Sequence, residues 1–80
     1  MSLPSGVMDF INENARRERV EDLKRDDDLF KKGVVDSFTL VDLISVLEEQ
    51  CGIKVPDSDV NPQNFQTVEA IERYVAARRG

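Results

Sequence analysis

Apolar residues recur along the chain with helical spacing, in three stripes separated by polar or turn-rich stretches. Val7, Phe10 and Ile11 stand at i, i+3 and i+4, on one helical face, with Ser5 placed to cap it. Ahead of them "MSLPSG", residues 1–6, is small, polar and broken by Pro4, and reads as a frayed, flexible lead-in. The charged run "NENARRERVEDLKRDDD" brings this first helix to an end between Asn14 and Arg19. Val20 and Leu23 are then the only apolar residues until Leu29, so they are expected to pin a long loop onto the core. "DLFKKG" closes the loop with Leu29 and Phe30 as anchors and Gly33 as its turn.

The second helix is expected over Ser37–Gln50, with Asp36 as its cap and Gly52 as its stop. At 100° per residue, Leu40, Leu43, Ile44, Leu47 and Cys51 fall in a stripe roughly 100° wide, the core face. Ile53 and Val55 alternate like a strand, but a lone three- or four-residue strand makes no sheet, so "GIKV" reads as an extended connector. "PDSDV" suits one short helical turn capped by Asp57 or Ser58, and "NPQNF" reads as a loop anchored by Phe65. Thr67 caps a last helix carrying Val68, Ile71 and Val75, with Tyr74 beside them. The pattern predicts an all-α protein, a small four-helix bundle of three main helices and one short one, with a long loop between the first and second.

Composition narrows what such a bundle does. Its 80 residues are read as a single domain spanning 1–80, and one core of that size rarely supplies more than ~3–5 kcal/mol. A deep catalytic cleft is hard to hold open on that margin, so binding or carrying is expected rather than catalysis. The chain has 16 acids, 11 bases and a net charge of −5, the opposite of a nucleic-acid footprint. With no histidine, the Ser-His and Cys-His pairs and every histidine metal site are excluded. The single Cys51 has no partner for an internal disulfide and reads as a small buried hydrophobe. No apolar run reaches the ~20 residues of a membrane span, and residues 1–12 lack a signal-peptide pattern. A cytoplasmic monomer is expected.

The charge is not spread evenly. From Ser37 to Gln50 there is no base at all. The side of the second helix opposite its core stripe carries Phe38, Asp42, Ser45 and Glu49, flanked by Val41, Val46 and Glu48. A solvated face normally mixes both signs in i, i+4 pairs; an apolar spot ringed by carboxylates instead suits contact with a basic partner. Asp36 at the helix start leaves the next residue, Ser37, with a free surface hydroxyl, at a terminus able to favour an anion.

The segments "DDLFKKG", "GVVDSF", "LVDLISVLEEQCGIKVPDSD" and "NPQNFQTVEAI" together resemble the acyl carrier protein superfamily, over roughly Asp27 to Ala76 in register and without gaps. In that family a "G-x-x-D-S-[LF]" pattern marks the serine that receives 4′-phosphopantetheine from coenzyme A. The resemblance therefore implies Ser37 as the attachment point, with Asp36 beside it, and a fold like that of the acyl carriers. It implies a carrier that holds acyl or aminoacyl groups as thioesters on the arm. Its partners would be a phosphopantetheinyl transferase, an acyl- or aminoacyl-adenylating ligase, and downstream acyl-accepting enzymes, meeting Phe38, Val41, Asp42, Ser45, Val46, Glu48 and Glu49. Phe38 stands where leucine is usual, and "TLVD" replaces the commoner "DTVE". In "DLF…G…DSF" and "NF.TV" the chain resembles stand-alone aminoacyl or peptidyl carriers, including the D-alanyl carriers, more than housekeeping fatty-acid carriers.

The competing reading is a helical interaction module that has the same fold and is never modified. It uses the acidic-apolar face equally well but gives no reason for Ser37 in its "DS" frame. An EF-hand built on Asp26, Asp27 and Asp28 fails because Phe30 stands where a ligand is needed. A hydrolase built on Ser37 lacks both a histidine base and a "G-x-S-x-G" frame.

Overall fold

A computed structural model describes residues 3–79. Its elements, in order, are α1 (Ser5–Arg17), α2 (Ser37–Cys51), a 3-10 turn (Asp57–Asp59), α3 (Pro62–Phe65) and α4 (Val68–Arg79), with no strand among the described residues. The all-α bundle with a long loop between its first two helices stands as expected.

The start of the chain differs from the reading of a flexible lead-in. Leu3 is buried in the core and α1 has begun by Ser5, while Met1 and Ser2 lie outside the described residues. Ser5 is therefore not the cap. Pro4 holds that position without a side-chain bond, and its carbonyl accepts from the amides of Val7 and Met8 at 3.0 and 3.2 Å. An apolar Leu3 just before the cap has the placement of a residue that fixes the entrance angle of the helix.

α1 runs antiparallel to α2. A Cβ added at Gly6 would lie 2.6 Å from Gln50 Cδ, and one at Gly33 would lie 3.5 Å from Glu18 Oε1. The N-terminus of α1 thus meets the end of α2, and its C-terminus meets the loop that leads into α2. Val7 and Ile11 from α1, Leu43 and Leu47 from α2, and Ile71 and Val75 from α4 are all 0% exposed, as are Leu29 from the long loop and Phe65 from α3. Cys51 belongs to the same core, and burial pushes its thiol up from its ordinary pKa, as suits an inert packing residue.

Val20 and Leu23 pack against the core from the long loop, as expected. Polar ties complete its attachment. Asp28 Oδ1 accepts from the amides of Phe30 and Lys31, both at 3.0 Å, and its Oδ2 accepts from Gln66 Nε2 at 2.9 Å. The Lys31 amide, ahead of the other bonds, holds the Asp28 carboxyl below its usual range. Arg25 pairs with Glu72, and the Leu29 amide donates to the Gln66 carbonyl at 2.8 Å. The loop is stitched to the start of α4.

Two short features fall differently from the sequence reading. "PDSDV" does make its turn, over Asp57–Asp59, but Pro56 precedes it and neither Asp57 nor Ser58 supplies a cap. "NPQNF", read as loop, is the helical turn α3. Asn61 Oδ1 accepts from the Asn64 amide at 3.1 Å and Pro62 takes the first helical position, where its missing N–H costs nothing. Thr67 Oγ1 accepts from the Ala70 amide at 2.9 Å and caps α4 as expected.

Leu47 is central to the core, and its truncation leaves a cavity that neighbouring helices fill only in part. We expect Leu47→Ala to lower the unfolding free energy by about 2–5 kcal/mol in urea titration at neutral pH. A loss below about 1 kcal/mol would mean the core is not organised around α2.

Candidate cofactor-attachment site

α2 begins where Asp36 leaves extended geometry (φ −130, ψ −172) and turns its carboxylate onto the helix. Asp36 Oδ1 accepts from the amides of Phe38 and Thr39 at 3.0 and 2.8 Å. The Thr39 amide is the main reason its carboxyl stays below the ordinary value of 3.8, with the Thr39 side chain and the Phe38 amide adding to it. The helix ends fifteen residues later at Cys51, where Gly52 adopts the left-handed conformation (φ 65) that side-chain-bearing residues rarely tolerate.

Because Asp36 does the capping, Ser37 is not needed for it. Ser37 is the first helical residue and is exposed. Its primary hydroxyl is accessible to a modifying enzyme, and nothing about its burial opposes a bulky anionic substituent. The first-turn amides of Phe38 and Thr39 are already engaged by a carboxylate, so a phosphodiester on Ser37 would remain largely a solvated group.

The exposed face then runs down the helix. Phe38 is 85% exposed and Val41 61%, both unusual for large apolar side chains, and Asp42, Ser45 and Glu49 are exposed with them. The spacing from Phe38, at +3, +4, +7 and +11, places these five on one surface.

Two residues expected on this face are placed otherwise. Val46 is half-buried against the core. By helical rotation it falls on the flank of Gln50, which meets α1 at Gly6, away from Val41 and Glu48. Glu48 is also half-buried, and its Oε2 accepts from the Val55 amide at 2.9 Å. It holds the connector after α2 in place, a role that seven residues of sequence separation did not disclose.

On the Glu48 flank α2 borders an open groove of about 530 Å³. Val41, Ile44, Ser45 and Glu48 form its α2 side, and Val55, Asp57 and Val60 form the opposite wall. Val41 lies one helical turn, about 6 Å along the axis, below Ser37. A flexible arm fixed at Ser37 would therefore meet the groove at once.

With this geometry in view, comparison with known proteins places the chain. Residues 7–75 match the family described as "Phosphopantetheine attachment site". The chain belongs to that family, and it is a carrier protein whose cofactor is a covalent 4′-phosphopantetheine. The D-alanyl carrier protein of Streptococcus sanguinis is 35% identical over 79 residues, covering 99% of this chain and 98% of that one. The D-alanyl carrier protein of Streptococcus uberis is 46% identical over 54 residues, covering 68% of this chain and 67% of that one. Among solved structures, a chain from one described as "Crystal structure of FAD-dependent dehydrogenase" superposes with a TM-score of 0.73 at 28% identity, over 86% of this chain and 97% of that one. No helix among the described residues is long and apolar enough to cross a membrane.

The cap gives this site a testable pH signature. Asp36 has a lowered carboxyl pKa in the folded state, so its stabilising effect is present above the ordinary value of 3.8 and lost as pH falls through the folded value. Asp36→Ala should lower the thermal midpoint at pH 7, and the gap from the natural chain should narrow below about pH 4. Asp36→Asn, whose amide oxygen accepts the same bonds, should hold the cap without that pH dependence. A gap that stays constant from pH 7 to pH 3 would contradict the assignment of the cap to the ionised carboxylate.

Proposed function

We propose that Ser37 carries the 4′-phosphopantetheine and that the chain serves as a stand-alone carrier of D-alanyl or similar small aminoacyl groups. The observation that carries this reading is the division of labour at the start of α2: Asp36 binds the first-turn amides, and Ser37 is left exposed one residue on. Support for the aminoacyl subclass comes from the full-length likeness to the streptococcal D-alanyl carrier. The whole chain, 1–80, acts as one carrier domain, as a cytoplasmic monomer.

The protein contributes binding and presentation, and catalysis belongs to its partners. When bound, the arm supplies a terminal thiol for thioester linkage and keeps its cargo at high effective concentration near each active site. Ser37 supplies the hydroxyl oxygen that becomes bonded to phosphorus, while its proton and the nucleotide part of coenzyme A leave through the transferase. Phe38 and Val41 offer the transferase, ligase and acceptor enzymes an apolar contact, and Asp42 and Glu49 steer them by charge. A carrier must leave each enzyme in turn, which calls for small interfaces with fast exchange.

Incubation with coenzyme A and a broad-specificity phosphopantetheinyl transferase should add one phosphopantetheine to the chain by intact mass, and none to Ser37→Ala. A natural chain that gains no adduct, or a Ser37→Ala chain that gains one, would overturn the attachment site.

The partner face has its own test. Asp42→Lys combined with Glu49→Lys should slow loading by an aminoacyl-adenylating ligase several-fold at low ionic strength, with the difference shrinking as salt rises. Helical circular dichroism should be unchanged. Equal loading rates at low salt would remove the acidic face from recognition.

A further inference from the structure

The two sides of the groove beside α2 are held in different ways. Its α2 side belongs to the core through Ile44 and its buried neighbours. Its opposite wall lies between two buried residues, Ile53 and Phe65, and no residue from 54 to 64 is itself buried. Val55 and Val60 pack only partly against the core. A wall so poorly anchored by apolar contact depends on polar ties for its position.

Those ties are few, and they are unevenly placed. At one end, Glu48 Oε2 accepts from the Val55 amide and Arg78 Nε donates to the Lys54 carbonyl at 3.1 Å. Further along, the Asp59 carbonyl accepts from the Asn61 amide and from Asn64 Nδ2, but both donors lie within the segment and move with it. From the middle of the wall, one side-chain bond reaches another main helix among the described residues: the Tyr74 hydroxyl on α4 donates to Asp59 Oδ2 at 2.7 Å. Tyr74 is itself fixed by edge-on packing against Phe65, with ring centroids 5.1 Å apart at 60°.

The geometry points to the Tyr74–Asp59 bond as a clasp that holds residues 56–61 in place as the outer wall of the groove. Tyr74 and Asp59 are thus positioning residues that set the width of the space beside α2, while the exposed face of α2 stays fixed. Burial and the Asp59 contact push the Tyr74 pKa up to about 12, so the hydroxyl remains a donor throughout the physiological range. The relevance of the clasp to cargo or partners pressing into the groove rests on the carrier reading above; the clasp itself needs no arm.

Tyr74→Phe tests it, because the ring and its packing on Phe65 are kept and only the donor is removed. The measurement is native-state amide hydrogen exchange by NMR on the full chain, with and without the arm attached. Released from α4, the short turn that bonds the Val60 and Asn61 amides internally is free to fray. These amides should therefore exchange about tenfold faster in Tyr74→Phe, relative to those of Leu47 and Ile71, as for loss of a partly buried bond to a charged acceptor. Asp59→Asn retains an acceptor oxygen and should stay within about threefold of the natural chain, whereas Asp59→Ala should match Tyr74→Phe. A rise shared equally by Leu47 and Ile71, or no rise at Val60 and Asn61, would overturn the clasp. Because the exchange is read in the unmodified chain as well, its failure is distinguishable from failure of attachment at Ser37.

Discussion

The two bonds from the Asp36 carboxylate to the amides of Phe38 and Thr39 are the interaction on which the rest of the site depends. They fix the residue at which α2 starts, and with it the rotation of every side chain that follows. Given that start, Leu40, Leu43, Ile44, Leu47 and Cys51 turn inward together. Phe38, Val41, Asp42, Ser45 and Glu49 must then turn outward. A shift of one residue in the start would rotate the helix by 100° and trade core for surface. Capping by Asp36 also releases Ser37 from a structural duty that serine often has, so that an exposed hydroxyl and a firm helix end coexist on adjacent residues.

Much of this was legible in the sequence because it rests on period and punctuation. The α2 stripe, the Asp36 cap, the Gly52 stop and the Thr67 cap are local signals, and the structure repeats them. The α3 turn was also within reach: Asn61 followed by Pro62 is a cap followed by a residue suited to the first helical position, but a Pro-containing stretch reads equally well as loop. Leu3 carries no such signal, because its small and polar neighbours conceal one buried side chain. The ties from Glu48 to Val55 and from Tyr74 to Asp59 have no periodic signature, since each joins residues brought together only by the folded chain.

Glu48 shows how a composition argument overreaches. The acids of α2 do not share one surface: Asp42 and Glu49 lie opposite the core stripe, whereas the flanking Glu48 lies at the edge of that stripe. There its carboxylate meets an amide that would otherwise go unpaired in a half-buried turn, and satisfying such a group is worth more than adding one more exposed charge. Val46, on the opposite flank, is likewise drawn off the exposed face by packing against the core. The surface that remains is smaller and more sharply defined, with an apolar upper end at Phe38 and Val41 and an acidic lower end at Asp42 and Glu49.

A small carrier has two demands that pull against each other: a single core must hold the helices, and part of the surface must accommodate several enzymes in succession. The structure separates them across α2. On one flank, α1 contributes Val7, Ile11 and Ala15 to the same buried apolar cluster as the core stripe of α2. On the other, the chain from 54 to 64 has no buried residue and is positioned by polar bonds. Apolar burial is non-directional and yields only when the whole core opens, whereas a single hydrogen bond can be exchanged for one to water or a partner at modest net cost. Ser37 lies at the top of the helix that divides the two flanks. An arm attached there, as we propose, would be anchored to the apolar-packed part of the molecule and would swing over the part able to adjust.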